Sequence, residues 1–160
     1  ENKQGTFADA VKGADVLIGC SAPGVFNVEA IKTMNDKSIV FGMANPVPEI
    51  MYEEAKEKGV YIYGSGRSDM PNQVNNSSVF PGLFRGALDV RARQINEEMK
   101  LAAAHALADL AIHSGKLDPD HVVVDVFDPQ VPFAVAKAVA KAAIASGVAR
   151  ATELPEKYRD

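Results

Sequence analysis

One cysteine, Cys20, stands in 160 residues. That excludes an internal disulfide framework and makes a reducing compartment such as the cytoplasm the default. Flanked by apolar residues, Cys20 reads as a core thiol. No run approaches the roughly 18 consecutive apolar residues of a membrane span, and no signal peptide opens the chain. Lys and Arg nowhere cluster, and the net charge is −4 with a pI near 5.4, so nothing marks a nucleic-acid partner. The three histidines, His105, His113 and His121, share no metal-ligand spacing. No tight group of carboxylates stands at a strand end to hold a metal. The dinucleotide fingerprint G-x-G-x-x-G is missing, and Gly64-Ser-Gly66 supplies only its first half. Repeats, low-complexity tracts and linkers are absent, which leaves no case for a second domain. An initiating methionine is also lacking. The chain opens at Glu1 in polar sequence, as a piece of a longer protein does.

What is present is a soluble globular composition, 47% hydrophobic and 24% charged, in a length that fits one domain with a core of ordinary size. The first two-thirds alternate between helical and extended periods. Thr6 caps a short helix over 7–13, and Asp15 to Cys20 is a buried strand ending in the turn Ser21-Ala-Pro-Gly24. Asn27 caps a helix to about Met34. A second apolar run, Ser38 to Ala44, stops at Asn45-Pro-Val-Pro48. Glu53 to Lys58 is helical, and Val60 to Tyr63 forms a third strand. Short apolar strands separated by helices predict an α/β fold, a parallel sheet with both faces covered. In the last third, Asn96 caps a helix with Met99, Ala103, Ala106, Leu107 and Leu110 as its apolar stripe, ended by Gly115. His121 to Asp125 is a strand or a buried extended segment. An Ala/Val helix over 131–146 turns Val135, Val139 and Ala142 inward and ends at Gly147, and the tail from Thr152 to Asp160 is peripheral.

In parallel sheets of this kind, ligands bind beyond the carboxyl ends of the strands. Those ends hold the unusual residues of this sequence: 19–24, 45–48 and 64–76. Ser21-Ala-Pro-Gly24 is a small-residue turn that lets a ligand approach the backbone, or an ordinary turn using glycine for a positive φ. Asn45 is held by the prolines that follow it. Its amide offers a donor and an acceptor suited to a hydroxy acid or carboxamide, and the alternative is an Asx-turn. Asn72-Gln-Val-Asn-Asn76 carries four amides in five residues, which are costly to bury without partners. Asn75 or Asn76 caps the next helix, and the remaining amides point to a ligand or water. Arg67, in the same loop as Asp69, either clamps a carboxylate or phosphate or belongs to an ion pair or solvated face. Arg85, Asp89, Arg91 and Arg93 suit ion pairs and solvated faces.

Together these segments resemble the malic enzymes. The carriers are Ala14-Asp-Val-Leu-Ile-Gly19 with Ser21-Ala-Pro-Gly24, Ala44-Asn-Pro-Val-Pro-Glu-Ile50, Gly66-Arg-Ser-Asp-Met-Pro-Asn-Gln-Val-Asn-Asn76 and Phe80-Pro-Gly-Leu-Phe-Arg-Gly-Ala-Leu-Asp-Val-Arg-Ala92. The last follows the shorter, bacterial form. The resemblance runs along essentially the whole chain and weakens after Leu117. It implies that residues 1–160 are the C-terminal part of a single NAD(P)-binding domain, a partial doubly wound, Rossmann-like parallel sheet with C-terminal helices. The catalytic domain and the first half of the Rossmann fold are expected upstream.

By the same resemblance, Asn45 and Asn76 contact malate, while Asn75 and Asn76 help to place the nicotinamide. Ser21, Ala22 and Gly24, with Asn45, lie along NAD or NADP. The family oxidises malate and decarboxylates the product to pyruvate, with Mg or Mn as Lewis acid and protons moved by an acid and a base. Its catalytic Tyr and Lys, its metal-binding Glu and two Asp, and its phosphate turn have no counterpart within 1–160. No catalytic residue and no metal ligand is therefore assigned to this segment, which is expected to be inactive alone and to work with the rest of the enzyme, a dimer. A catalytically silent nucleotide-binding or oligomer-interface module of the same fold is the competing reading.

Overall fold

The computed structural model describes residues 4–159. Glu1, where the sequence opens, and Asp160, the end of the tail, lie outside the described residues. The chain forms two compact units: one runs through Asn75 and includes Asp118–His121, and the other comprises Asn76–Leu117 and Val122 onward.

The first unit is a three-stranded parallel sheet with helices between its strands. Its elements are α1 (Phe7–Val11), β1 (Val16–Gly19), α2 (Val28–Ile31), β2 (Ile39–Gly42), α3 (Tyr52–Glu57) and β3 (Ile62–Ser65), and the strands lie in the order β1-β2-β3. Two predicted caps are made. Thr6 forms a capping box with Asp9, and the Asn27 side chain accepts the Glu29 and Ala30 N–H groups. Each satisfies helix N–H groups that have no partner within the helix.

The pleat sends alternate residues to opposite faces, and the register aligns Leu17, Val40 and Tyr63 on one of them. These three join Phe7, Phe26, Ile31, Ile50 and Ala55 in one core. The Tyr63 hydroxyl, buried with its ring, donates to the Ile50 carbonyl. The opposite face carries Val16, Ile18, Ile39, Phe41 and Ile62. On it Val16 is 50% exposed and Ile18 60%. The sheet is thus covered on one face within this unit, not on both. β1 is an exposed edge strand rather than a buried one, and Cys20 at its end is an exposed thiol rather than a core one. β3 begins two residues later than the apolar run did. Val60 is buried but serves the core as a loop residue.

The second unit is helical: a 3-10 turn (Asn76–Ser78), α4 (Phe80–Asp89), α5 (Glu97–His113), α6 (Gln130–Ala145) and a closing 3-10 turn (Glu156–Tyr158). Its core gathers Leu83, Val90, Met99, Ala103, Val131, Val135 and Val139. Asn96 caps α5 as predicted, its side chain accepting the Met99 N–H at 3.1 Å. The residue ahead of α4 is Val79, with proline following at the first turn, and no side chain caps it. Neither Asn75 nor Asn76 takes that role. No strand forms over 121–125.

The tail is not peripheral. Tyr158 is 2% exposed. It packs edge-on against Phe133 and donates its hydroxyl to Asp89 at 2.7 Å. A buried tyrosine contributes a large apolar area and needs a partner for its O–H. Both needs are met here.

Candidate functional site

Three loops leave the carboxyl ends of the three strands, and the site is built from them. After β1, Ser21, Ala22 and Gly24 are exposed, and Gly24 adopts a φ of +65° with open space where a Cβ would be. The glycine requirement predicted for this turn is real. After β2, the chain turns through a cis Asn45–Pro46 peptide. Asn45 is exposed, and its side chain has no hydrogen-bond partner among the described residues. An Asx-turn would use that amide oxygen on a nearby backbone N–H, so the Asx-turn reading is not realised. The amide is left available to a ligand.

The loop after β3 resolves the amide-rich segment into different roles. Asn72 is buried with a φ of +53°. Its amide donates to the Tyr63 carbonyl at 2.8 Å and the Pro119 carbonyl at 2.9 Å. It therefore closes the loop onto the sheet. The Gln73 backbone bridges to Ser65. Asn75 is exposed at the end of the loop, its amide 3.5 Å from the Gly66 carbonyl. Asn76 opens the second unit, exposed, with its carbonyl accepting the Val79 N–H. Its side chain has no partner among the described residues. The density of amides signalled a polar site, but only some of them face outward.

Arg67 is committed elsewhere. Its guanidinium meets Asp69 in a bidentate pair, at 2.8 and 2.6 Å, and donates to the Pro46 carbonyl at 3.3 Å. Asp69 raises the Arg67 pKa further, and Arg67 lowers that of Asp69. The ion-pair reading holds, and Arg67 ties the β3 loop to the β2 loop. Arg85 likewise pairs with Asp89.

Sequence reasoning assigned nothing to Glu49, which is 1% exposed. One carboxylate oxygen accepts the Ser21 N–H at 2.7 Å and the Ser21 hydroxyl at 3.1 Å. The other accepts the Ala44 N–H at 2.9 Å. Burial pushes the Glu49 pKa up, but donation from the Ala44 and Ser21 backbone outweighs it and holds the carboxyl below its usual range.

Ser21, Ala22, Gly24, Asn45 and Asn75 thus belong to loops at one end of one sheet, and Asn76 follows Asn75 in the chain. Among the described residues no group of three or more His, Cys, Asp or Glu side chains lies close enough to hold a metal ion. A parallel sheet with helical connections, small-residue turns and exposed amides at its carboxyl end defines a Rossmann-like, nucleotide-binding class of domain.

The family follows from comparison. The family model for the malic enzyme NAD binding domain matches residues 2–144, and the chain belongs to that family. It is 53% identical over its whole length to the bifunctional malic/malolactic enzyme of Bacillus subtilis, covering 39% of that protein. It is 50% identical to the NAD-dependent malic enzyme of Geobacillus stearothermophilus, covering 97% of this chain and 32% of that one. Relatives named as NADP-dependent malic enzymes match as well. The crystal structure of Entamoeba histolytica malic enzyme superimposes with a TM-score of 0.93 at 49% identity, over 98% of this chain and 33% of that one. The chain therefore spans about a third to two-fifths of the length of these relatives.

Proposed function

We propose that this chain is the C-terminal part of the NAD(P)-binding domain of a longer malic enzyme. The whole protein oxidises L-malate and decarboxylates it to pyruvate and CO2 with reduction of NAD or NADP. The observation that carries the reading is the pair of exposed amides, Asn45 and Asn76, without side-chain partners among the described residues, in a chain of this family. A side-chain amide both donates and accepts. Each can therefore hold a malate carboxylate through its NH2 or a hydroxyl through its carbonyl. The exposed Ser21–Gly24 turn suits the flank of a dinucleotide, whose polar groups can reach the backbone where side chains are small. Asn75 and Asn76 set the nicotinamide side of the site.

When bound, NAD(P) would supply the acceptor for the hydride of the malate carbinol carbon. This chain contributes orientation, holding the donor carbon and the nicotinamide in register, which is a proximity effect. The described residues do not fit a divalent metal. The Mg or Mn of the family is held by residues outside this chain, as are the groups that move protons. A cytoplasmic location, supported by the cysteine usage and the bacterial relatives, completes the proposal, with dimeric assembly taken from the resemblance to the family.

The test is product analysis on the full-length protein with malate, NAD or NADP, and Mn or Mg. Pyruvate and reduced cofactor are expected in equal amounts, with no turnover by the 160-residue chain alone. Cofactor binding without malate consumption would establish the silent-module reading instead.

A further inference from the structure

Gly19 and Gly42 are register partners at the carboxyl ends of β1 and β2. A Cβ on Gly19 would sit 2.7 Å from the Glu49 carboxyl carbon, and one on Gly42 would sit 3.4 Å from its Oε2. The paired glycines leave a slot at the end of the sheet, which the Glu49 carboxylate fills together with the Phe26 ring edge and Pro48. The carboxylate reaches the slot because the chain doubles back after Asn45–Pro46. The loop after β1 is docked beside it by two backbone bonds, Gly24 N–H to Pro48 O at 3.1 Å and Phe26 N–H to Glu49 O at 3.2 Å.

Three donors converge on the two carboxylate oxygens, from Ser21 on one loop and Ala44 on the other. Among the described residues no cation pairs with Glu49. The charge is balanced by N–H and O–H dipoles alone, an arrangement whose geometry is fixed by the backbone. Ser21 opens the turn assigned to the cofactor, and Ala44 immediately precedes the amide assigned to malate.

We infer that Glu49 is a positioning residue: its buried carboxylate locks the Ser21 turn to the Ala44–Asn45 turn and so sets the cofactor contact and the malate contact relative to each other. The inference rests on the reading of the site under Proposed function. Glu49 touches neither ligand, and acts only through the two loops. Glutamine is the same size, but its NH2 must face either the Ser21 N–H or the Ala44 N–H, leaving a buried donor opposed by a donor.

The experiment is steady-state kinetics on the full-length enzyme carrying E49Q, with Ile31→Ala as a core control in the same unit and thermal melting of both. E49Q is expected to raise the KM for malate and for NAD(P) together, by about tenfold each, as expected for losing a charge-assisted hydrogen bond. Ile31→Ala, at a comparable or larger loss of melting temperature, leaves both KM values within about twofold. Equal KM changes in E49Q and the control would overturn the inference, because they would make Glu49 merely structural. If E49Q does not fold, Glu49→Asp keeps the charge but draws the carboxylate back by one methylene from the Ser21 and Ala44 N–H groups. It is expected to raise the cofactor KM by about threefold, and an unchanged value overturns the inference. Asn45→Ala and Asn76→Ala separate the two claims. If they raise the malate KM while E49Q does not, only the role of Glu49 fails. If they leave it at the wild-type value, the assignment of the site itself fails.

Discussion

Gly86→Ala probes the packing that holds the helical unit together. Gly82 and Gly86 lie one turn apart on α4, on the side turned to α6. A Cβ on Gly86 would overlap the Ala136 carbonyl oxygen and sit 3.0 Å from the Val139 Cβ, and one on Gly82 would sit 2.6 Å from the Val135 Cβ. Both glycines are buried. In an exposed helix, Gly→Ala gains about 1 kcal/mol from reduced backbone freedom. Here the obstacle at Gly86 is the backbone of α6, which cannot swing aside as the tip of a flexible side chain can. Overpacking of this kind costs roughly 1–3 kcal/mol, sometimes more, and the backbone obstacle places Gly86 at or above the upper end. The net expectation is a loss of about 2 kcal/mol, a fall of roughly 4–8 °C in melting temperature for a domain of this size. Thermal unfolding of the full-length protein, followed by circular dichroism, reads it directly. A neutral or stabilising Gly86→Ala would refute the close approach of the two helices.

Asp89 offers a pH signature. Its carboxylate, 11% exposed, meets Arg85 and Lys157 at 2.6 Å each and the Tyr158 hydroxyl at 2.7 Å. Although burial pushes its pKa up, Lys157, Tyr158 and Arg85 lower it from 3.8 to about 2. A depressed folded-state pKa stabilises the folded form above the unfolded value. That stability, roughly 2 kcal/mol, is lost as pH falls from about 4 towards 2. Asp89→Asn should therefore weaken the protein at pH 7 and flatten its acid limb in urea unfolding; equal acid limbs in both proteins would contradict this. The half-bare sheet predicts that the chain expressed alone self-associates through β1 and the face carrying Val16 and Ile18. Ile18→Lys should reduce that association in sedimentation, and a monomeric wild-type chain would refute it.

Much of this architecture could be read from periodicity. Alternating short apolar runs and helical stretches gave three parallel strands, and Thr6, Asn27 and Asn96 marked their helices because capping is a local interaction. The carboxyl-end loops were identifiable because proline, glycine and asparagine collect there. Long-range relations were not legible. Val16, Ile18 and Cys20 looked buried because hydrophobicity shows what can be covered, not whether a layer lies over it. Asn72 and Asn76 are the same residue type in the same short segment. Only the fold decides that one amide is spent on the Tyr63 and Pro119 carbonyls while the other faces outward. Glu49 depends on partners 28 and 5 residues away, and Tyr158 on Asp89, 69 residues back. No local pattern encodes either.

The central claim is that the exposed amides of Asn45 and Asn76 hold malate. Steady-state kinetics of Asn76→Ala in the full-length enzyme test it most directly. Losing a hydrogen bond to a charged ligand group costs about 1.5–3 kcal/mol, so kcat/KM for malate should fall by roughly tenfold to a hundredfold. Melting should be unchanged, since the side chain is exposed and makes no hydrogen bond among the described residues. Wild-type turnover and malate affinity in that variant would contradict the account.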